Sequence, residues 1–169
     1  TRRSGATVYI TGRSVTDRVA AAVTAIGGKG IAMQCDHQDD NQVKAVFEQI
    51  NIREGRLDIL VNNAWGGYKR LRQRKAHPGY KWKAPFWQQP IGIWDEMHNV
   101  GVRSNYVASV FAALMMMEQK SGLIVSISFF SGQKYLGNVP YGVSKAAVDR
   151  LAQDMAIELK PHNVASVSL

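Results

Sequence analysis

Short apolar runs and amphipathic helical segments alternate along most of this chain. Residues 6–11, 30–36, 57–61 and 123–128 are apolar runs with the length of buried strands. Between the second and third runs, apolar residues recur at the helical spacing i, i+3, i+4 and i+7, namely Val43, Val46, Phe47 and Ile50. Strands that alternate with crossover helices predict an α/β fold, in which helices cover both faces of a doubly wound parallel sheet. Such sheets bind ligands at the carboxyl ends of their strands.

Three further helices and a long loop complete the pattern. Residues 14–26, 93–117 and 141–160 predict helices. The apolar side of the second of these is expected at Val100, Val107, Val110, Phe111 and Leu114. Residues 65–91 lose both periods and contain prolines at 78, 85 and 90, so we expect a long loop there. Its aromatic residues can line a substrate mouth or anchor a surface flap: Tyr68, Tyr80, Trp82, Phe86 and Trp87.

The helix predicted at 141–160 begins with a tyrosine and a lysine that lie one turn apart. Tyr141 and Lys145 therefore share a face. An ammonium near a phenol stabilises the phenolate by Coulomb attraction, so the phenol can exchange a proton near neutral pH. Ser128 ends the preceding strand, thirteen residues before the tyrosine, and its hydroxyl can reach the same pocket. The three residues suit a carbonyl oxygen that gains or loses a proton as hydride moves, although the pair alone is also typical of a buried ring and a solvated amine.

Polar residues follow the other predicted strands as well. The sequence Thr11-Gly12-Arg13 ends the first strand, Cys35-Asp36 ends the second, and Asn62-Asn63-Ala64 follows the third. Together with Ser128 and Tyr141-x-x-x-Lys145, and in this order, these motifs resemble those of the short-chain dehydrogenase/reductase family. The resemblance runs over nearly the whole chain. It implies an incomplete Rossmann-like domain and an NAD(P)-dependent oxidoreductase whose small-molecule substrate is a ketone or a secondary alcohol.

The resemblance also implies a role for each catalytic residue. Tyr141 would be the proton donor or acceptor. Lys145 would favour the phenolate and hold the nicotinamide ribose, and Ser128 would orient the carbonyl. Ser131 lies in the same loop, but Ser128 has the better spacing and lies at the end of the strand.

Five other residues are candidates for binding the cofactor: Arg13, Asp36, Asn62, Asn63 and Ala64. A guanidinium directly after the first strand can pair bidentately with the 2′-phosphate of NADP. Gly12 stands where NAD-preferring members carry an acid, so NADP is favoured over NAD. Asp36 resembles the acid that bonds the adenine amino group, and Ala64 would leave room for the ribose. Structural alternatives are an arginine in a turn, an aspartate N-cap shared with Asp39, and buried asparagines that bond backbone.

The sequence departs from the family pattern at three places. Gly101 stands where many members have an asparagine that anchors a proton relay to the catalytic lysine, and Asn99 lies on another side of the helix. No glycine-rich phosphate turn precedes the first predicted strand, and the family's C-terminal part is absent. We therefore expect residues 1–169 to be a single domain that lacks the central first strand of the sheet and belongs to a longer polypeptide. The alternative function is a catalytically inactive dehydrogenase-like scaffold or assembly subunit.

Composition narrows the remaining classes. The single cysteine, Cys35, predicts a reducing compartment, either the cytoplasm or an organelle matrix. The four histidines lack metal-ligand spacing, and no apolar run reaches eighteen residues, so we expect neither a metal site nor a membrane span.

The charge of +8 is concentrated in residues 69–83, which could bind a polyanion, but a solvated loop is the commoner explanation and nucleic acid is not the expected partner. Family members commonly form oligomers through helices corresponding to residues 93–117 and 141–160.

Overall fold

The computed structural model of the chain describes residues 5–14, 17–67 and 80–169. In these residues, strands and α-helices follow one another as β1 Thr7–Gly12, α1 Asp17–Ala25, β2 Lys29–Gln34, α2 Asp40–Glu54, β3 Ile59–Asn62, α3 Gly92–His98, α4 Ser104–Gln119, β4 Gly122–Ser126, α5 Val139–Leu159 and β5 Val164–Ser168. Short 3₁₀ turns lie at Phe86–Gln88, Phe130–Gly132 and Lys160–His162. The predicted α/β fold with parallel strands is confirmed.

The strands form two parallel sheets. Strand β1 pairs with β2, and Tyr9 lies opposite Ile31. Strand β4 pairs with β3 on one side and with β5 on the other. In the register of this second sheet, Ser126 lies opposite both Asn62 and Ser168. No described strand joins β1 to β3.

Helices α2 and α4 build the core over the strands. The four residues of α2 that were predicted from helical spacing are all buried: Val43, Val46, Phe47 and Ile50. Phe47 packs against Phe111 of α4 with ring centroids 5.9 Å apart, and Ile124 of β4 lies in the same cluster. The carboxylate of Asp39 caps α2 by accepting hydrogen bonds from the N–H groups of its first turn.

The predicted helix at 93–117 is continuous, but its buried face differs from the prediction. A five-residue π-helical segment, Asn99–Arg103, separates α3 from α4. Val110 and Leu114 were expected on the apolar side and are instead 40% and 55% exposed. The buried face of α4 carries Ala108, Ser109, Ala112 and Met116. The buried face consists mainly of small side chains, which let α4 approach the strands closely, and the larger Val110 and Leu114 lie on the opposite side.

The stretch from α3 to α4, Gly92–Gln119, is long and apolar enough by length and composition to cross a membrane. From the sequence we expected no membrane span, since no uninterrupted apolar run reaches eighteen residues. A window of that length can still have a high mean hydropathy when a few polar residues interrupt it. The core helix of a soluble protein passes the same test, and this stretch packs against α2, α5 and the strands of the second sheet. The observation is therefore weak evidence for a membrane span.

Candidate active site

Tyr141 lies in the first turn of α5, and the residue before that helix positions it. Asn138 is the N-cap, and its side-chain oxygen accepts a hydrogen bond from the backbone N–H of Tyr141 at 2.9 Å. Its amide nitrogen donates to the backbone carbonyl oxygen of Trp82 at 2.8 Å. One buried asparagine thus holds both the start of the helix and the loop that packs over it.

The three predicted catalytic residues lie in one region, beyond the end of β4. The ammonium of Lys145 donates to the backbone carbonyl oxygen of Ile127 at 2.9 Å and lies 5.8 Å from the ring centroid of Tyr141. The hydroxyl of Ser128 donates to the backbone carbonyl oxygen of Lys145 at 3.2 Å. All three side chains are buried, so the segment after β4 and the first turns of α5 form one polar site inside an apolar surrounding.

Burial shifts the pKa of the lysine. Desolvation lowers the pKa of Lys145, because the charged form loses water, and the carboxylate of Asp149 one turn further along α5 partly opposes this. In a desolvated site the stability of the charged form depends on the groups that contact the ammonium. The contacts that surround its ammonium therefore decide how much charge it offers to Tyr141.

Aromatic rings enclose the phenol of Tyr141. Trp65 and Trp82 present their edges to it, with centroids 5.4 Å and 5.2 Å away, and the ring of Phe129 lies at 5.9 Å. Of the loop aromatics named from the sequence, Trp82 and Tyr80 pack against the cluster that contains Tyr141, whereas Phe86 and Trp87 are largely exposed. Tyr68 lies outside the described residues. Trp65 was not singled out from the sequence, although its position directly after Asn63-Ala64 was a usable signal.

The ends of β1 and β2 carry the predicted adenosine-binding residues. Arg13 is exposed directly after β1. The carboxylate of Asp36 accepts only a turn hydrogen bond, from the N–H of Gln38, among the contacts described for it, and Asp39 is the helix cap. Asp39 is therefore the N-cap of α2, and Asp36 is not. A contact that sequence reasoning missed joins the two strand ends, because the Thr11 hydroxyl lies 2.9 Å from Nε2 of His37.

The asparagines after β3 differ in what they contact. The amide nitrogen of Asn62 donates to the hydroxyl of Ser109 at 2.9 Å and to the carbonyl oxygen of Asn105 at 3.4 Å, both in α4. Asn62 is thus part of the packing between strand and helix, which is the structural role that its burial demands. Asn63 is exposed at the strand end, followed by the half-buried Ala64. Cofactor contacts by these residues stay a prediction.

Two further features named from the sequence are Ser131 and the basic segment 69–83. The hydroxyl of Ser131 is buried in the 3₁₀ turn Phe130–Gly132 and finds no hydrogen-bond partner among the described residues, whereas the hydroxyl of Ser128 donates to the backbone of α5. Of the basic residues in 69–83, Lys81 and Lys83 are described, and the rest lie outside the described residues: Lys69, Arg70, Arg72, Arg74 and Lys75.

The sequence of this chain is similar to a known protein family over nearly its whole length. A family model described as short chain dehydrogenase matches residues 2–169. The chain belongs to this family. It is 44% identical over 170 residues to dehydrogenase/reductase SDR family member 1 of Mus musculus and 43% identical to that of Homo sapiens, and both alignments cover 99% of this chain. The chain spans about half the length of these relatives, 52% in each case.

The short-chain dehydrogenase fold is also seen in solved structures. A metagenomic short-chain oxidoreductase in complex with NADP superposes with a TM-score of 0.79 at 26% identity, covering 95% of this chain and 68% of that one. In the sequence, residues 63–67, 94–101, 122–125 and 138–143 look most like the type called SDR family member 1. The high identity to the mouse and human proteins of that name confirms this resemblance.

Proposed function

We propose that this chain provides the catalytic centre of an NADP-dependent oxidoreductase that interconverts a ketone and a secondary alcohol. The observation that carries the proposal is the placement of a buried lysine ammonium beside a buried tyrosine, beyond the carboxyl end of a parallel strand. Ligands bind at that end of doubly wound sheets. Ser128 lies in the same region, through its hydrogen bond to the backbone of Lys145.

The described residues fit the two ends of a nicotinamide dinucleotide. Tyr141 and Lys145 would hold the nicotinamide ribose, since phenol and ammonium are suitable partners for its hydroxyls. Arg13 would pair with the 2′-phosphate, and Asp36, which does not cap α2, would bond the adenine amino group. No glycine-rich phosphate turn occurs in this sequence, so we assign no residue to the pyrophosphate. When bound, the nicotinamide supplies or accepts the hydride.

Each side chain has a defined part in the proton transfer. In reduction, the phenol of Tyr141 gives its proton to the carbonyl oxygen as hydride arrives at the carbonyl carbon, and in oxidation the phenolate takes the proton back. The Lys145 ammonium stabilises the phenolate left behind. The hydroxyl of Ser128 turns from the Lys145 carbonyl toward the substrate oxygen and fixes its direction. The rings of Trp82 and Phe129 favour a substrate with an apolar group next to its carbonyl.

The test removes one oxygen atom. Tyr141→Phe in the full-length protein is expected to lower ketone reduction by at least ~100-fold, because the proton donor is lost. NADPH affinity, measured by titration of cofactor fluorescence, is expected to stay within a few-fold, which is what one lost neutral hydrogen bond allows. Tyr135→Phe is the matched control, because Tyr135 is 70% exposed.

The same measurements distinguish the alternative function. A scaffold or assembly subunit would give no saturable NADPH signal in the parent protein. Turnover by Tyr141→Phe at the rate of the parent would reject the mechanism, even if cofactor binding were normal.

A further inference from the structure

The indole ring of Trp65 contacts both members of the catalytic pair. The Lys145 ammonium lies over this ring, 4.5 Å from its centroid, which is within the range of a cation–π interaction. The same ring meets Tyr141 edge to face, with an interplanar angle of 81°. Tryptophan is the side chain that binds a cation most strongly through its face. The contact is therefore positioned to act on the charge of Lys145.

Two glycines make the room that this ring occupies. A Cβ atom built on Gly101 would lie 2.4 Å from Cζ3 of Trp65, and one built on Gly67 would lie 2.7 Å from Cζ2. Both distances are well below van der Waals contact. Gly101 belongs to the π-helical segment Asn99–Arg103, and such segments occur frequently at functional sites. Any side chain at Gly101 would have to displace the indole from the lysine.

This arrangement explains the departure from the family pattern at Gly101. Many members carry at that position an asparagine that anchors a proton relay to the catalytic lysine. Here the position has no side chain, and the space beside it holds an indole that contacts the same lysine. The glycine and the tryptophan thus form a matched pair.

We propose that Trp65 is a positioning residue that holds Lys145 in its charged form beside Tyr141, and that Gly101 is required because it leaves room for the indole. The inference rests on the proposed function. Burial removes water from the ammonium, and the π face replaces part of that lost solvation. Other groups that act on Lys145 in the described part of the chain include the carbonyl of Ile127, and the ring of Tyr141 and the carboxylate of Asp149, which both lie on α5 with it.

The experiment measures the protonation of Lys145 directly, in the full-length protein without cofactor. The rate at which an amine-reactive acylating reagent modifies Lys145 is followed against pH by mass spectrometry. The midpoint of this profile reports protonation, and its plateau at high pH reports access of the reagent. A substitution that only opens the site would raise the plateau and leave the midpoint unchanged or move it upward.

Three side chains at position 65 form a graded series. Trp65→Leu keeps apolar bulk without a π face, so at a fixed pH below the midpoint the reactive amine fraction should rise about threefold to tenfold. Trp65→Phe keeps a weaker face and should lie between Leu and the parent. Lys134, which lies 4.5 Å from the ring centroid of Phe130, is the internal reference whose labelling should not change. Trp87→Leu is the matched control, because Trp87 is 72% exposed and pairs with Phe86.

A double-mutant cycle tests the role of Gly101. Gly101→Ala should move the midpoint in the same direction as Trp65→Leu, since the methyl group displaces the ring. In the Trp65→Leu background, the same alanine should have little further effect. An equal effect in both backgrounds would overturn the pairing of the two residues. If Gly101→Ala does not fold, the order Trp, Phe, Leu decides alone, and an unchanged midpoint across that order overturns the proposal.

Failure of this inference is separable from failure of the proposed function. An inactive Tyr141→Phe with a flat labelling series would reject the role of Trp65 and keep the oxidoreductase. A fully active Tyr141→Phe with a graded series would reject the proton-transfer mechanism and keep the contact between Trp65 and Lys145.

Discussion

The Lys145 ammonium donates a hydrogen bond to the backbone carbonyl oxygen of Ile127, 2.9 Å away, and so joins helix α5 to the segment after strand β4. This bond fixes the position of the charge relative to Tyr141, because a lysine side chain is otherwise free to rotate about four bonds. The site therefore depends on one backbone carbonyl as much as on its side chains.

Lys145→Met is expected to lower turnover by at least ~100-fold, since the phenolate of Tyr141 loses its stabilising charge. Methionine has a similar length and suits a buried position, so the fold should be kept. The measurement is steady-state reduction of a ketone, with thermal denaturation to verify folding. Lys134→Met, at an exposed position, is the control and should act at the rate of the parent. A Lys145→Met protein within threefold of the parent would contradict the role of the ammonium.

Asn138 makes two contacts that substitution can separate. Asn138→Ala should lower the free energy of unfolding by about 1 kcal/mol, because the first turn of α5 loses its cap. Asn138→Ser keeps a neutral N-cap oxygen for the first-turn N–H groups and loses the donor to the carbonyl of Trp82, so most of that stability should return. Urea unfolding of both variants makes the comparison. Equal loss in the two variants would show that the contact with the loop, and not the cap, carries the effect.

His37 makes stability depend on pH. Burial lowers the pKa of His37 below its ordinary 6.5, and the charge of Asp36 partly opposes this. The unfolded chain therefore binds more protons than the folded chain between the folded pKa and 6.5. The contribution of His37 to the free energy of unfolding is fully present above pH 6.5. It is lost as the pH falls through this window, because protonation of His37 is less favourable in the folded chain than in the unfolded chain.

The measurement is urea unfolding at about pH 7.5 and about pH 5.5, values that bracket the ordinary histidine range. His37→Gln keeps a side chain able to bond the Thr11 hydroxyl and does not titrate, so the difference between the two conditions should shrink. His162→Gln, at an exposed position, should leave that difference as it is in the parent. A His37→Gln protein with the full pH dependence would assign the effect to other groups.

Arg13 is expected to select between the two cofactors. Arg13→Gln should weaken NADPH binding by about tenfold to a hundredfold, because a charge-assisted pair with the 2′-phosphate is lost. NADH binding should change by less than about threefold, since NADH has no such phosphate. Arg18→Gln, on the exposed side of α1, is the control for net charge. Equal weakening of both cofactors would indicate a general electrostatic effect and would leave the preference for NADP unsupported.

Short-range patterns in the sequence were sufficient for much of the fold. The buried face of α2 follows from apolar residues at helical spacing, and each of Val43, Val46, Phe47 and Ile50 is buried. Tyr141 and Lys145 lie on one face of α5 because the helical repeat places them there. Patterns of this kind depend on neighbours within two turns, so they survive folding.

Other features depend on partners that are distant in sequence. Val110 and Leu114 have the spacing of a buried face and are exposed, because α4 packs against the strands through the small residues Ala108, Ser109 and Ala112. The contact of the Asn62 amide with Ser109 of α4 joins residues 47 apart in the chain, so no local pattern indicates it. The position of Trp65 directly after Asn63-Ala64 places it near the strand end, but it does not indicate a contact with Lys145, which is eighty residues away.

The sequence by itself determined the alternation of strands and helices, the family motifs and the spacing of Ser128, Tyr141 and Lys145, because each is a local periodicity or a fixed interval along the chain. Only the tertiary structure decided which polar side chains face the site and which rings surround it. Those outcomes depend on the close approach of elements far apart in the chain, such as the Trp65 ring against Gly101, and packing at that distance has no signature in any single segment.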